Sequence, residues 1–158
     1  MKEINAASLA GQPFLRGMAR HHLELLAASA MPAEFEAGET IFKEGDPANR
    51  FYLIHSGKIS LESPGQPEQE PALIETVGGG DPLGWSWLFP PYYWHFNARA
   101  VTPVTAIFFY GTRLREQCEN DRDFGYELLK RVSAVVVHRL QATRRRLAEE
   151  SKKLQASF

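Results

Sequence analysis

Apolar and polar positions change period along the chain, and each change marks a change of structure. Near the N-terminus Met18, His22, Leu25 and Leu26 recur at helical spacing, which predicts an amphipathic helix over about 18–29. Pro13 and Gly17 interrupt anything longer upstream, and Pro32 ends the helix. From Phe35 the period falls to two, and Thr40–Lys43, Phe51–His55, Lys58–Glu62 and Ala72–Val77 read as short strands. Ser56-Gly57 between two of them is a two-residue hairpin signal. Residues 63–71, SPGQPEQEP, carry three prolines and no apolar side chain suited to a core, so they read as an exposed loop. Val101–Tyr110 holds the last strands, broken at Thr102-Pro103.

After Gly111 the helical period returns. Thr112–Glu119 predicts a short helix, and Asp121 is placed to cap a long one over about 123–154. Leu129, Val132, Val136, Leu140, Thr143, Leu147 and Leu154 fall mostly three, four or seven apart, which is coiled-coil-like spacing. Short strands with Gly/Pro turns, flanked by helices, predict a mainly β fold: a jelly roll (double-stranded β-helix) followed by a long C-terminal dimerisation helix. The expected segments are an N-terminal helical segment at 1–31, the β roll at 32–111 and C-terminal helices at 112–158.

Composition narrows the function classes. With 158 residues, 44% hydrophobic and 23% charged, the chain is long enough for one cored domain. A net charge of −1 argues against a bulk polyanion binder. Eight Lys/Arg against three Asp/Glu in residues 124–158 make the last helix basic, and Arg144-Arg145-Arg146 is read as a solvated helix face. The single cysteine, Cys118, leaves no disulfide framework or cysteine metal cluster within one chain. Without an apolar run near the roughly 18 residues of a membrane span, and without a signal-peptide pattern, a cytoplasmic location and no membrane partner are expected. No metal site is expected: His21 and His22 are adjacent, adjacent residues face different ways on a helix, and both are read as solvent-facing histidines.

The densest chemistry lies in Gly78–Ala100, GGGDPLGWSWLFPPYYWHFNARA. Three glycines and a Gly-Asp-Pro break lead into Leu83–Leu88, read as a short helix-like turn, and the chain returns as a strand through Phe96–Ala100. Glycines free backbone N–H groups to face a ligand, and the first turn of a helix adds unpaired donors, a geometry suited to an anion. The competing reading is an aromatic plug closing one side of a β-barrel.

Thr40–Ala48 (TIFKEGDPA), Phe51–Ile54 and Ser56–Ile59 resemble the opening strands of the cyclic nucleotide-binding domain of Crp/Fnr-type regulators. Gly80–Gly84 (GDPLG) resembles the entry to that family's phosphate-binding cassette, and Arg139–Thr143 (RLQAT) its dimerising, base-contacting helix segment. The resemblance implies a non-enzymatic regulatory module with no catalytic residues. It also implies a homodimer through the C-terminal helix and a protein partner. Its candidate ligand-binding residues are Leu83, Gly84, Trp85, Ser86, Trp94, His95, Asn97, Arg139 and Thr143. The cassette departs from the family pattern at two positions. Trp85 stands where the family's glutamate accepts the ribose hydroxyl. Tyr93-Trp94-His95 occupies the place of the phosphate-holding arginine, and Arg99 matches a strand position outside that contact. A lost charge-assisted hydrogen bond typically weakens binding by about 1.5–3 kcal/mol. A cyclic nucleotide remains the implied ligand class, ordinary high-affinity cyclic AMP binding is not expected, and an altered anionic ligand stays open.

The family's helix-turn-helix would follow the long helix, and the chain stops at Phe158, so no DNA-binding module is expected. Three alternatives stay open: a degenerate, ligand-free dimeric scaffold, a sensor of haem through His95 or of another small ligand, and a cupin-type metalloenzyme. The last needs clustered ligands, whereas His55, His95 and His138 are isolated in sequence.

Overall fold

Strands in the middle of the chain carry apolar side chains on both faces, and the architecture follows from covering both. A computed structural model describes residues 3–64 and 72–156. In chain order it has α1 (Ala6–Ala10), a 3-10 turn at Pro13–Leu15, α2 (Arg20–Ala27), β1 (Met31–Phe35), β2 (Thr40–Phe42), β3 (Arg50–Ser56), β4 (Lys58–Ser63) and β5 (Ala72–Gly78). It continues through β6 (Pro82–Leu83), β7 (Asn97–Ala100), β8 (Val104–Tyr110), α3 (Gly111–Asn120) and α4 (Arg122–Ala156). Two antiparallel four-stranded sheets, ordered β1-β8-β3-β6 and β2-β7-β4-β5, face each other as a jelly roll.

β3 and β8 show why their sequences are almost continuously apolar. Tyr52, Ile54, Ala106 and Phe108 point between the sheets, where they meet Ile59, Leu61, Val77 and Ala98. Phe51, Leu53, Ile107 and Phe109 point the other way, onto Leu15, Leu26, Leu114, Phe124, Leu128 and Val132 of the helices. A strand buried on both faces loses the polar alternation of a half-exposed one. Asp121 caps α4 as expected, accepting from the Phe124 amide at 3.1 Å.

Several local expectations are corrected. The Ser56-Gly57 hairpin does not form, because β3 and β4 belong to different sheets. Gly57, at φ +106°, turns the chain from one sheet to the other, and a Cβ there would lie 2.4 Å from the Pro103 carbonyl oxygen. Gly57→Ala should therefore destabilise by about 2–4 kcal/mol, from left-handed strain and overpacking together. Gly38→Ala, at φ +87° with nothing within 4 Å, should lose only about 1 kcal/mol. Chemical denaturation would compare them, and equal losses would refute the steric account.

Pro32 does not merely follow a helix; it lies within β1, an edge strand, where a missing N–H is tolerated. α1, closed by an Asn5–Ser8 capping box, is an element the helical period did not predict. Leu83–Leu88 is no helix: β6 ends at Leu83 and turns follow. Val132 leaves the predicted coiled-coil stripe for the core at 1% exposure. Of the predicted 63–71 loop, residues 65–71 lie outside the described residues, while Ser63 and Pro64 are exposed.

Candidate ligand site between the cassette and the long helix

The cassette is held by tight packing of small and large residues. Gly84 is buried at φ +87°, and a Cβ on it would lie 2.7 Å from the Trp94 ring. Trp94 is fixed from the other side by stacking on Phe42 at 3.8 Å between centroids and 9° between planes. Its backbone is pinned as well, by Trp94 N to Asp46 O at 3.0 Å and Gly45 N to Trp94 O at 2.9 Å. Leu83 is fully buried and pairs with Tyr52 across β6–β3. The interior behind the cassette is thus occupied by the protein's own rings.

Trp85 and His95 form the outer wall. Trp85 is half-buried and stacks on the exposed His95 at 6.0 Å and 26°. Tyr92 and Tyr93 do not enter the roll. Tyr93 is 47% exposed, and the Arg115 guanidinium lies 4.0 Å from the centre of the Tyr92 ring. Asn97 serves the backbone, its Oδ1 accepting from Glu44 N at 2.8 Å. Arg99 lies outside, paired with Glu62 at 2.8 Å and holding that carboxyl below the usual carboxylate range. Trp85 Nε1, Ser86 Oγ and Trp87 Nε1 are buried without hydrogen-bond partners among the described residues, three donor groups on consecutive side chains.

The space beside Gly84 and Trp85 measures about 10 Å³, room for about one water. A larger cavity of about 310 Å³ opens on the other side of Pro82, between the end of β5, β6 and α4. Glu75, Asp81, Val135, His138 and Arg139 line it. Arg139 Nε meets Glu75 Oε2 at 2.8 Å and Nη2 donates to Pro82 O at 3.4 Å. Burial pushes the Arg139 pKa down, against the opposing pull of Glu75 and then Asp81. Its Nη1 is buried without a partner among the described residues. One turn further along α4, Thr143 is exposed.

Of the candidate ligand-binding residues, Leu83, Gly84, Trp85, Ser86 and Trp94 lie together at the cassette, with His95 on their outer side. Arg139 stands across Pro82 from them, and Asn97 and Thr143 are engaged elsewhere or turned outward. Sequence reasoning missed Glu75 and Asp81. The alternation of β5 and the Gly-Asp-Pro break were the only signals there, and neither indicates a partner on α4.

Cys118 is no activated nucleophile, since burial, then Glu119 and Asp121, pushes its thiol up to about 11. No helix among the described residues is long and apolar enough to cross a membrane. The expectation that His21 and His22 diverge toward solvent is corrected: their rings lie 4.0 Å apart and His22 is buried.

The family model for the cyclic nucleotide-binding domain matches residues 32–121. A CRP-like cAMP-activated global transcriptional regulator of Mycobacterium tuberculosis is 28% identical over 141 residues, 89% of this chain and 61% of the relative. The chain thus spans about three fifths of that relative's length. The crystal structure of a putative cyclic nucleotide-binding protein from Geobacter metallireducens superposes with a TM-score of 0.78 at 30% identity, covering 87% of this chain and 98% of the other. The regulatory subunit of a cAMP-independent protein kinase A from Trypanosoma brucei gives a TM-score of 0.64 at 25% identity, over 80% and 44% of the two chains.

Proposed function

The chain belongs to the cyclic nucleotide-binding domain family, and from that premise we propose that it is a non-enzymatic regulatory module whose ligand acts on α4 through Arg139. The observation that carries this reading is the Arg139 tie. One guanidinium joins α4 to Glu75 on β5 and to the Pro82 carbonyl at the cassette entry, on the wall of a ligand-sized cavity. Its unpartnered Nη1 calls for an acceptor. An anionic ligand, nucleotide-like in class, competes with Glu75 for the guanidinium and so favours a different seating of the helix, which is what a ligand must do to shift an equilibrium.

α4 is the output element in this reading. Two copies pair through its exposed apolar side chains, and a protein partner reads the pair. The mycobacterial relative is a cAMP-activated transcriptional regulator, and the trypanosomal subunit belongs to a cAMP-independent protein kinase A, so similar domains occur in proteins described both ways. The packed Phe42–Trp94 interior favours a second reading, a ligand-free dimeric scaffold. A haem would need an enclosed ring face at His95, which instead lies on the surface.

The test uses spin labels on Arg145→Cys in the two chains; half-buried Cys118, with its thiol at about 11, competes poorly for the label. Arg139→Met should broaden and shift the inter-label distance distribution by several ångströms, within about one helical turn of 5.4 Å. Identical distributions with and without the arginine would leave the regulatory reading without a mechanism, and the scaffold would stand.

A further inference from the structure

The geometry points to a divalent transition-metal site of the Zn²⁺ class formed by His21, His22 and Asp121, which clamps α2 to the entry of α4. One ligand atom from each of the three lies within 4.8 Å of the others. The site is separate from the cassette and from the Arg139 cavity, and it does not rest on the regulatory reading.

His22 carries the argument. It is 6% exposed, yet both ring nitrogens lack a hydrogen-bond partner among the described residues. A neutral imidazole has one donor and one acceptor, and burying both unmet is unfavourable. Its Nε2 faces Asp121 Oδ2 at 4.0 Å. That separation is too long for a hydrogen bond. It is close to the edge of a tetrahedron around Zn²⁺, about 3.3–3.5 Å for bonds of 2.0–2.2 Å.

The other two groups are set to complete the site. Asp121 Oδ1 accepts from the Phe124 amide at 3.1 Å, which fixes the carboxylate and leaves Oδ2 toward the imidazoles. The His21 ring has turned to within 4.0 Å of its neighbour, against the divergence expected of adjacent helical residues. His21 is exposed, so it can close the remaining ångström by a rotamer change and leaves a solvent path to an open fourth position. Two imidazoles and a carboxylate suit Zn²⁺ better than the oxygen-seeking Mg²⁺ or Ca²⁺. Phe124 packs edge-on against His22 at 5.5 Å, so the ion would sit beside the hydrophobic root of α4.

The experiment titrates ZnSO₄ into the untagged, chelator-stripped 158-residue chain in competition with a chromophoric chelator, and follows melting in parallel. One Zn²⁺ per chain is expected, with a dissociation constant of about 10 μM or tighter. His21→Ala and Asp121→Asn, the latter keeping a capping oxygen, should each weaken uptake at least about tenfold. Zn²⁺ should raise the melting temperature of the wild type and not of His21→Ala. Because His21 is exposed, its variant should melt like the wild type without metal, which separates lost binding from lost folding. Absence of uptake by the wild type, or equal uptake by wild type and both variants, would overturn the site.

Discussion

Leu140→Glu is expected to turn a dimeric protein into a monomer at tens of micromolar, a range in which modest self-association is normally resolved. α4 runs from Arg122 to Ala156, about 50 Å at the rise of an α-helix, far longer than the fold it leans on needs. Phe124, Leu128 and Val132 are buried against its own core. Beyond them the large exposed apolar side chains among the described residues are Val137 at 51%, Leu140 at 59%, Leu147 at 61% and Leu154 at 63% exposure. Tyr126 and Leu129 begin the same stripe. Each buried leucine contributes about 1.5–3 kcal/mol, and in the proposed dimer a second copy of this helix would supply the matching surface. Two glutamates facing each other in that seam should weaken the dimer at least about 100-fold, by lost burial and like-charge repulsion. Leu140 is a cleaner choice than Val136, which is half-buried within its own chain. Sedimentation velocity checks the outcome, with an unchanged melting profile of the β roll as the folding control. A wild type already monomeric at this concentration would refute the dimer.

The second large effect is expected at Trp94. Removing this ring with Trp94→Ala takes away the Phe42 stack and leaves a void over Gly84, an arrangement at 4% exposure with no easy route to collapse. The loss should be about 3–5 kcal/mol, on the order of 10 °C in melting temperature. Tyr93→Ala, nearby but 47% exposed, should change stability by less than about 0.5 kcal/mol. Calorimetry on the wild type tests the same packing from the ligand side. With rings filling the interior, cyclic AMP and cyclic GMP should bind no tighter than roughly 100 μM, about −5.5 kcal/mol. A Trp94→Ala protein that melts within a degree or two of wild type would show that the ring is not what fills the interior. A micromolar constant unchanged in Arg139→Met would put the nucleotide in that interior and not in the Arg139 cavity.

Elements set by local pattern were legible in the sequence; those set by which surfaces meet were not. The long helix and its Asp121 cap, the apolar β3 and β8, and the glycine-led cassette all declared themselves through spacing and residue type. Ser56-Gly57 signalled a sharp turn correctly, but a turn signal does not say whether the chain folds back within a sheet or crosses to another. Pro32 hid β1 because a proline argues against a strand until the strand is known to be an edge. In the candidate site, Gly84 and Trp94 stood close enough in sequence to be grouped. The Arg139–Glu75 pair joins residues 64 positions apart, and no periodicity in either segment reports the other. His22 shows the reverse failure, since it lay on the apolar stripe that the helical pattern drew and only its polar side chain suggested solvent.

Arg146 donates from both terminal nitrogens to the carbonyls of Leu73 and Ile74 on β5, the outermost strand of its sheet. Those carbonyls are the groups through which one chain recruits a strand from another. A regulator that moves α4 off β5 therefore also strips the cover from a site of potential fibre-like or swapped assembly. Leu73, at 52% exposure, lies in the same uncovered row. In the regulator proposed above this hazard would bound the movement: α4 could swing only as far as another helix, its mate's or a partner's, took over the shielding of β5.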